Sequence, residues 1–549
     1  MPKSASVCEN TSIFKLLSIL VLTIAFAITQ PYGANALFGG DISSEMREAL
    51  KQALAQNINK SAQSLYSQEQ PSPYWTHRDG LNKRGREALD VLKKAPEHGI
   101  SEDRYDVEEI ESLVLNSAGD EQRLAEADIR LSESLVKFAQ DLKYGVSKPK
   151  RYDRLGVIEE RPEAVETMRE LVSAPDVAKW VLAQAPQAPV YESLRHTLAT
   201  YQILKRQGGW PKLASGKSIK PGMTDPRVAQ VRDILLTTGD LREVTQGNVY
   251  DDVLVEAVKR FQARHGIDVD GAVGPQTVAT FNAPVDERID QIRITMDRIR
   301  HLPDQLGEKY ILVNIPGYQL TAYDGGKEAM KMKVIVGKPS RKTPIFSNAI
   351  AQTVFNPTWS VPRSIAVKDK LRKIQQDPSY LTRSGFTLTQ HGQKIDPYSV
   401  DWSSVNRSNF NFGLRQASGR GNALGKVKFP IPDNQSVYLH DTSSRSLFKK
   451  DRRALSSGCI RVEHPEDLAK YVLNGNEGWD EIKVSSAYKS SRRQTVSVNP
   501  VPVHAVYWTA WVDEQGMPHF YQDIYKKDHT VISALGPLDT TKPIQLAAR

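Results

Sequence analysis

Between residues 40 and 207 apolar side chains recur every three or four positions, most clearly over 45–60, 84–94, 125–142 and 164–172. That spacing lines one face of a helix, so the region reads as a helical scaffold punctuated by Pro96, Gly99, Pro149, Pro175, Pro186 and Pro189. A linker rich in Gly, Lys, Ser and Pro (208–223) leads into a compact unit with three short amphipathic runs. Val228, Val231 and Leu235 line the first, and Leu254, Ala257, Val258 and Phe261 the second. Thr277, Val278 and Phe281 line the third, after a Gly271-Ala272-Val273-Gly274 turn. One more helical pattern, 286–300, carries Ile289, Ile292, Ile294, Met296 and Ile299. Beyond it the period shortens to two. Runs at 310–315, 319–323 and 332–337, separated by Pro-Gly, Asp-Gly-Gly and Gly-Lys-Pro turns, predict strands and hairpins. Strands continue at 351–356 and 436–440, and a pair at 503–512 and 518–525 flanks a Glu514-Gln515-Gly516 turn. Residues 365–409 turn helical and polar between strands, the mark of a lid or binding loop. The fold class expected is multidomain α+β. It comprises a helical scaffold (37–215), a three-helix unit (222–284), a connecting helix (285–307), a mostly β domain (308–487) with a helical lid (363–410), and a C-terminal strand pair (500–530).

Length and charge refine this picture only slightly. A chain of 549 residues exceeds what one hydrophobic core fills, and 40% hydrophobic with 25% charged residues is ordinary for a soluble globular protein. The net charge of +9 gathers in small clusters such as Lys449-Lys450-Asp451-Arg452-Arg453. The plain reading is a solvated face; the functional one is affinity for a polyanion such as an anionic cell wall. No helix-turn-helix, zinc-finger or RNA-binding pattern accompanies the clusters, which argues against nucleic acid. Compartment is addressed by the N-terminus. Lys3 and Lys15 precede an apolar run, 16–28, followed by Ala34-Asn35-Ala36. That order predicts a secretory signal peptide (1–36) cleaved after Ala36, and hence a periplasmic protein; an uncleaved inner-membrane anchor is the alternative.

Export would remove Cys8 and leave Cys459 as the one thiol, so no disulfide and no cysteine metal cluster is expected. A lone cysteine is either a small buried hydrophobe or a nucleophile. Cys459 follows a Ser456-Ser457-Gly458 turn and precedes Ile460-Arg461, while His440 ends an upstream strand. Neighbouring strands can bring such positions together as a Cys–His pair, in which imidazole activates thiol. Gly458 admits a backbone angle closed to other residues and a close approach of substrate, and the amides after it could form an oxyanion hole. Arg461 would favour thiolate or grip a carboxylate. Asp441 could set the imidazole tautomer through its carbonyl or its side chain. Taken singly, His440, Asn422, Arg415 and Trp359 read more readily as structural residues than as catalytic ones.

Two assemblies of motifs carry a resemblance. Val231-Arg232 with Leu235, Gly239-Asp240-Leu241, Phe261-Gln262, Gly266-Ile267, Asp270-Gly271, Val273-Gly274 and Thr277 resemble the three-helix peptidoglycan-binding module. Val437-Tyr438-Leu439-His440-Asp441-Thr442 and Ser456-Ser457-Gly458-Cys459-Ile460-Arg461-Val462 resemble the signature of YkuD-type L,D-transpeptidases. Arg415-Gln416-Ala417-Ser418-Gly419, Asn422-Ala423-Leu424-Gly425 and Asn356-Pro357-Thr358-Trp359 are similar to the large multidomain YcbB-like branch. Ser457 stands where the commonest family form has His, and Ser418-Gly419 where Pro-Gly is usual. The resemblance implies a cysteine acyltransferase that forms 3→3 peptidoglycan cross-links and releases D-Ala from a tetrapeptide donor. It assigns Cys459 as nucleophile and His440 as base and acid. Tyr438 and the amides of Gly458 and Cys459 would support the oxyanion, and Arg461, Trp359, Ser457, Arg415 and Asn422 would bind substrate. No metal or organic cofactor is implied. The partners implied are stem peptides, glycan strands and other cell-wall enzymes, and carbapenems would acylate Cys459. The alternatives are an L,D-carboxypeptidase or thiol hydrolase on stem peptides, and a non-catalytic peptidoglycan-binding scaffold.

Overall fold

The computed structural model describes residues 43–542 apart from 57–59, 67–70, 150–160, 244–245 and 433–436. The expected signal peptide lies outside the described residues. Helices dominate as far as Arg206. The longest, α1 (Glu121–Tyr144), starts where the Asp120 carboxylate caps the amides of Gln122 and Arg123 at 3.0 and 3.3 Å. Its inner face buries Leu124, Leu131, Leu135, Phe138 and Leu142. The same face buries Asp128, which accepts from the amides of Tyr74, Trp75 and Thr76 at 3.0, 2.7 and 2.8 Å. The hydroxyls of Thr76 and Tyr66 add bonds of 2.9 and 2.6 Å, pinning an irregular segment onto the helix. Pro189, read from sequence as punctuation, is the first residue of α2 (Pro189–Arg206), where its missing N–H costs nothing.

The helix α3 (Val285–Ile299) is buried almost all round. Arg293 donates to the carbonyls of Gly99 and Gly536 at 2.9 and 2.8 Å, and Asp297 accepts from the amides of Val146 and Ser147 at 2.7 and 3.2 Å. Arg298 donates to the Tyr507 carbonyl at 2.9 Å and pairs with Asp528 at 2.7 Å. This helix therefore joins the scaffold to the C-terminal half, and one hydrophobic core runs through both. The three-helix unit (Val228–Thr237, Asp252–Arg264, Pro275–Phe281) keeps its own core of Val228, Val231, Leu235, Leu254, Val258 and Phe261. A buried Arg264–Asp240 ion pair of 2.5 Å closes it, and Arg264 also donates to the Pro518 carbonyl at 3.0 Å.

Among the described residues nine strands make the β barrel: β1 (Lys309–Asn314), β2 (Gln319–Asp324), β3 (Lys327–Gly337), β4 (Phe346–Phe355), β5 (Val427–Pro430), β6 (Tyr438–His440), β7 (Ala454–Ser456), β8 (Ile460–Val462) and β9 (Gln494–Val506). Their order is β7-β3-β8-β6-β5-β4-β9-β1-β2, and β2 also pairs with β3, closing a barrel. The strand expected at 503–512 instead starts at Gln494 and lies between β4 and β1 as an interior stave. It ends at Val506, where the chain leaves the barrel; Ala510–Val512 and Pro518–Phe520 pair as a separate hairpin. The Ala510 amide binds Thr295 of α3 at 3.1 Å.

The insertion expected to be a helical lid is instead a small mixed layer with a core of its own. Helical turns between Arg363 and Arg383 pack with a four-stranded sheet ordered Trp359–Ser360, Phe412–Gln416, Phe386–Gln390, Gln393–Lys394. Its polar composition hid a buried set that includes Leu371, Leu381, Phe386, Leu388, Trp402 and Phe410. Phe386-Thr-Leu-Thr-Gln alternates with the period of a half-buried strand, which decides its state.

Candidate active site

Parallel pairing of β6 with β8 sets Leu439 opposite Ile460 and His440 opposite Arg461. Leu439 and Ile460 are both 0% exposed and point into the barrel core. Side chains alternate across a strand, so Tyr438 and His440 face the other way, as do Cys459 and Arg461 on either side of Ile460. All four line a cavity of about 500 Å³ roofed by the insertion, together with Trp359, Ser457, Arg341 and Asp369. Sequence alternation, barrel closure and register thus converge on one small patch.

His440 is buried, and its Nδ1–H donates to the Asp441 backbone carbonyl at 2.5 Å. Of the two tautomer-setting partners open from sequence, the carbonyl is the one in place. The Asp441 carboxylate is occupied by the amides of Lys426 and Thr442 at 2.8 and 2.6 Å and by Arg445 at 3.0 Å. Nε2 is left to accept a proton. Burial, assisted by the charges of Arg461 and Lys428, lowers the His440 pKa to about 3. The Cys459 thiol is pushed up by burial, against the lowering effect of hydrogen bonds from Tyr438 and the charges of Arg461 and Lys428. The resting pair is therefore a thiol beside a neutral imidazole. Arg461 acts in the expected direction, but desolvation outweighs it.

Gly458 sits at φ +121°, a backbone region that favours glycine. Its N–H donates to Ser456 Oγ at 3.1 Å, Ser456 Oγ donates to the Cys459 carbonyl at 2.6 Å, and Thr343 Oγ1 donates to the Gly458 carbonyl at 2.7 Å. The expectation that the Gly458 amide serves an oxyanion is corrected by this geometry, because Ser456 takes that donor up within the turn. Tyr438 hydrogen-bonds with Cys459 and lies with its ring 5.5 Å from that of His440. Arg461 lines the cavity with its Nε–H buried and without a hydrogen-bond partner among the described residues.

Trp359 and Ser457 also reach the cavity, but Arg415 and Asn422 do not. Arg415 is exposed on the insertion's sheet, where it donates to Thr358 Oγ1 at 3.2 Å. Asn422 is buried and organises a turn, donating to the carbonyls of Pro357 and Ala417 at 3.1 and 2.8 Å and accepting from the Leu424 amide at 2.7 Å. Both were chosen for their motif, and both brace the chain around the site instead. Sequence reasoning missed Lys428, set opposite His440 by the β5–β6 register with its Nζ 4.7 Å from the Tyr438 ring centre. It also missed Arg341, which donates to Ser457 Oγ at 2.8 Å and clamps Asp369 of the insertion through two nitrogens, one at 2.6 Å. The alternation Val427-Lys428-Phe429 hinted at Lys428; nothing local hinted at Arg341.

Residues 308–485 match the model of the YkuD L,D-transpeptidase catalytic domain. The match covers about a third of the chain and takes in both His440 and Cys459. Residues 60–198 match a "Scaffold domain" and 224–280 a "Putative peptidoglycan binding domain". A curated Haemophilus influenzae protein, described as "Putative L,D-transpeptidase", is 36% identical over 243 residues, or 44% of this chain. The chain spans 48% of that relative's length. Among solved structures, an L,D-transpeptidase from Mycobacterium smegmatis is 15% identical, with a TM-score of 0.19 and coverage of 36% of this chain and 58% of that one. One from Stackebrandtia nassauensis is 12% identical, with a TM-score of 0.22 and coverage of 54% and 96%. Among the described residues no helix is long and apolar enough to cross a membrane, and no cluster of three or more His, Cys, Asp or Glu is placed to hold a metal ion.

Proposed function

We propose that this chain forms 3→3 peptidoglycan cross-links through a thioester on Cys459. The observation that carries the reading is a thiol, a carbonyl-oriented imidazole and a guanidinium sharing one roofed cavity. In the acylation step Cys459 Sγ attacks the carbonyl of the third residue of a tetrapeptide stem while His440 Nε2 takes the thiol proton. Tyr438 donates to the developing oxyanion. The C–N bond to D-Ala then breaks, and the imidazolium returns its proton to the leaving amine. In the second step the side-chain amine of a neighbouring stem attacks the thioester, His440 accepts the amine's proton, and the thiol is restored. Arg461, whose side chain lines the same cavity, holds a stem carboxylate. The insertion excludes water, which favours amine over hydrolysis. The three-helix unit supports a cell-wall location outside the cytoplasm. Carbapenems are expected to acylate the same sulfur.

The deciding experiment incubates the protein with disaccharide-tetrapeptides and follows the products by mass spectrometry, beside a Cys459→Ala control. Cross-linked dimer with free D-Ala, both absent in the control, establishes the reaction. Tripeptide and D-Ala without dimer establish a carboxypeptidase, and no turnover supports a scaffold.

A further inference from the structure

The backbone of the catalytic turn is held from behind by Thr343, a residue that no sequence motif singled out. β3 ends at Gly337, and the loop after it folds back so tightly that a Cβ at 337 would collide with the Arg341 carbonyl. The Lys338 amide donates to the Ser456 carbonyl at 3.1 Å, which ties this loop to β7. Thr343 is fully buried at the loop's end. Its Oγ1 accepts from the Gly337 amide at 2.8 Å and donates to the Gly458 carbonyl at 2.7 Å. Tyr525, from the C-terminal segment, locks Thr343 in turn. Its Oη accepts from the Thr343 amide at 3.1 Å and donates to the Gly337 carbonyl at 2.5 Å. The Tyr525 amide donates to Tyr507 Oη at 2.7 Å, and Lys342 donates to the Tyr525 carbonyl at 2.8 Å. The hydroxyls of Thr343 and Tyr525 each give one bond and take another, so neither rotates without losing one.

We propose that Thr343, locked by Tyr525, is a positioning residue that aims the Cys459 amide at the oxyanion formed when Cys459 is acylated. A trans peptide directs its N–H opposite its C=O. Thr343 and Gly458 line a hollow on the far side of the turn from the cavity that Cys459 lines. By drawing the Gly458 carbonyl to that far side, Thr343 turns the N–H of the same peptide unit toward the catalytic side. Gly458, at φ +121° and without a Cβ, does little to hold this plane by itself. Ser456 fixes the groups on either side of it, the Gly458 amide at 3.1 Å and the Cys459 carbonyl at 2.6 Å. When the thiol attacks a carbonyl, the S–C bond forms, the π pair moves onto oxygen and the thiol proton passes to His440. A donor already aimed at that oxygen stabilises it without reorganising, and a small misplacement forfeits much of the gain. The inference rests on acyl transfer through Cys459, and not on whether amine or water resolves the thioester.

Two reagents that react at the same sulfur separate this role from a structural one. A carbapenem is opened through a tetrahedral oxyanion: the S–C bond forms, the lactam C–N bond breaks and the ring nitrogen takes the proton. Iodoacetamide loses iodide in a direct displacement and forms no oxyanion. Thr343→Val is expected to slow acylation about thirtyfold while leaving alkylation within about twofold. Thr343→Ser, which keeps the hydroxyl, should restore acylation. Tyr525→Phe keeps the ring but releases Thr343, so acylation should slow about fivefold with alkylation again unmoved. That variant carries the measurement if Thr343→Val fails to fold. A hydroxyl that only supports the fold would lower both rates together or neither, and either result overturns the proposal. A serine variant as slow as the valine one overturns it too. Acylation that depends on Thr343 while tripeptide accumulates without dimer upholds the proposal and sinks cross-linking. Dimer formation with acylation indifferent to Thr343 and Tyr525 sinks the proposal and leaves the reaction standing. An unaltered protein that is alkylated but never acylated sinks both.

Discussion

Asp128 in the scaffold and the Cys459–His440–Arg461 group in the barrel both hold polar atoms away from water, and they are completed to different degrees. Five hydrogen bonds converge on the Asp128 carboxylate, three from consecutive backbone amides. In the barrel, by contrast, the imidazole spends one nitrogen on the Asp441 carbonyl and keeps the other, and the Arg461 Nε–H has no partner among the described residues. A satisfied cluster fixes a fold; a group left one bond short is poised for something outside the chain. The difference separates positions where substitution should cost folding from positions where it should cost chemistry.

The largest effect is expected at the unfinished cluster. Cys459→Ala should lower cross-link formation at least about 10³-fold, since no other group can hold the acyl chain. Its urea midpoint should stay within the scatter of the unaltered protein, because the thiol is half-buried at a cavity edge. Asp128→Ala should do the reverse. Stranding the amides of Tyr74, Trp75 and Thr76 is expected to destabilise by about 3 kcal/mol, read from denaturant unfolding, with β-lactam acylation of the folded fraction unchanged. If Asp128→Ala slows acylation while folded, the division between the clusters is wrong.

Acidity sharpens the contrast. The folded pKa of His440, about 3, lies below the value near 6.5 of an unfolded histidine. Between those values the unfolded chain binds a proton that the folded one refuses, so stability falls as pH drops through this window. From pH 7 to pH 5 the residue should remove about 2 kcal/mol. Urea unfolding of His440→Gln at both pH values should show a correspondingly flatter dependence; an equal slope would mean the imidazole is protonated in the folded state.

How much of this was legible in the sequence follows from the range of the interactions involved. The helical face of α1, the turn at Gly458 and the alternation around Leu439 and Ile460 depend on neighbours a few residues away, and they were readable. Lys428 meets His440 only through a cross-strand register, and β9 becomes an interior stave only through pairing with β1 and β4. Such long-range choices are weakly encoded in any local window. The insertion's sheet escaped notice because its strands are short and polar, and the one that alternates, Phe386-Thr-Leu-Thr-Gln, lies inside a polar stretch. Arg415 and Asn422 came from motif alone, and motif marks what a family keeps near its site without separating contact from support.

Arg341 and Arg415 give the finest test of that last distinction, with the smallest effects. Both are arginines beside the insertion, and only Arg341 lines the cavity. It ties Asp369 of the insertion to Ser457 of the catalytic turn, with its own side chain 15% exposed. Removing a partly shielded, bidentate pair costs on the order of 1 kcal/mol, so Arg341→Ala should slow transfer about tenfold. It should also raise the share of hydrolysed product, because a loosened roof admits water to the thioester. Arg415 is exposed and makes one bond to Thr358, so Arg415→Ala should leave both transfer and the dimer-to-tripeptide ratio within about twofold. The product ratio is the sharper reading, since general destabilisation lowers both products together. A shifted ratio in Arg415→Ala would return that residue to the site and show that the insertion acts as a whole, not through its one clamp.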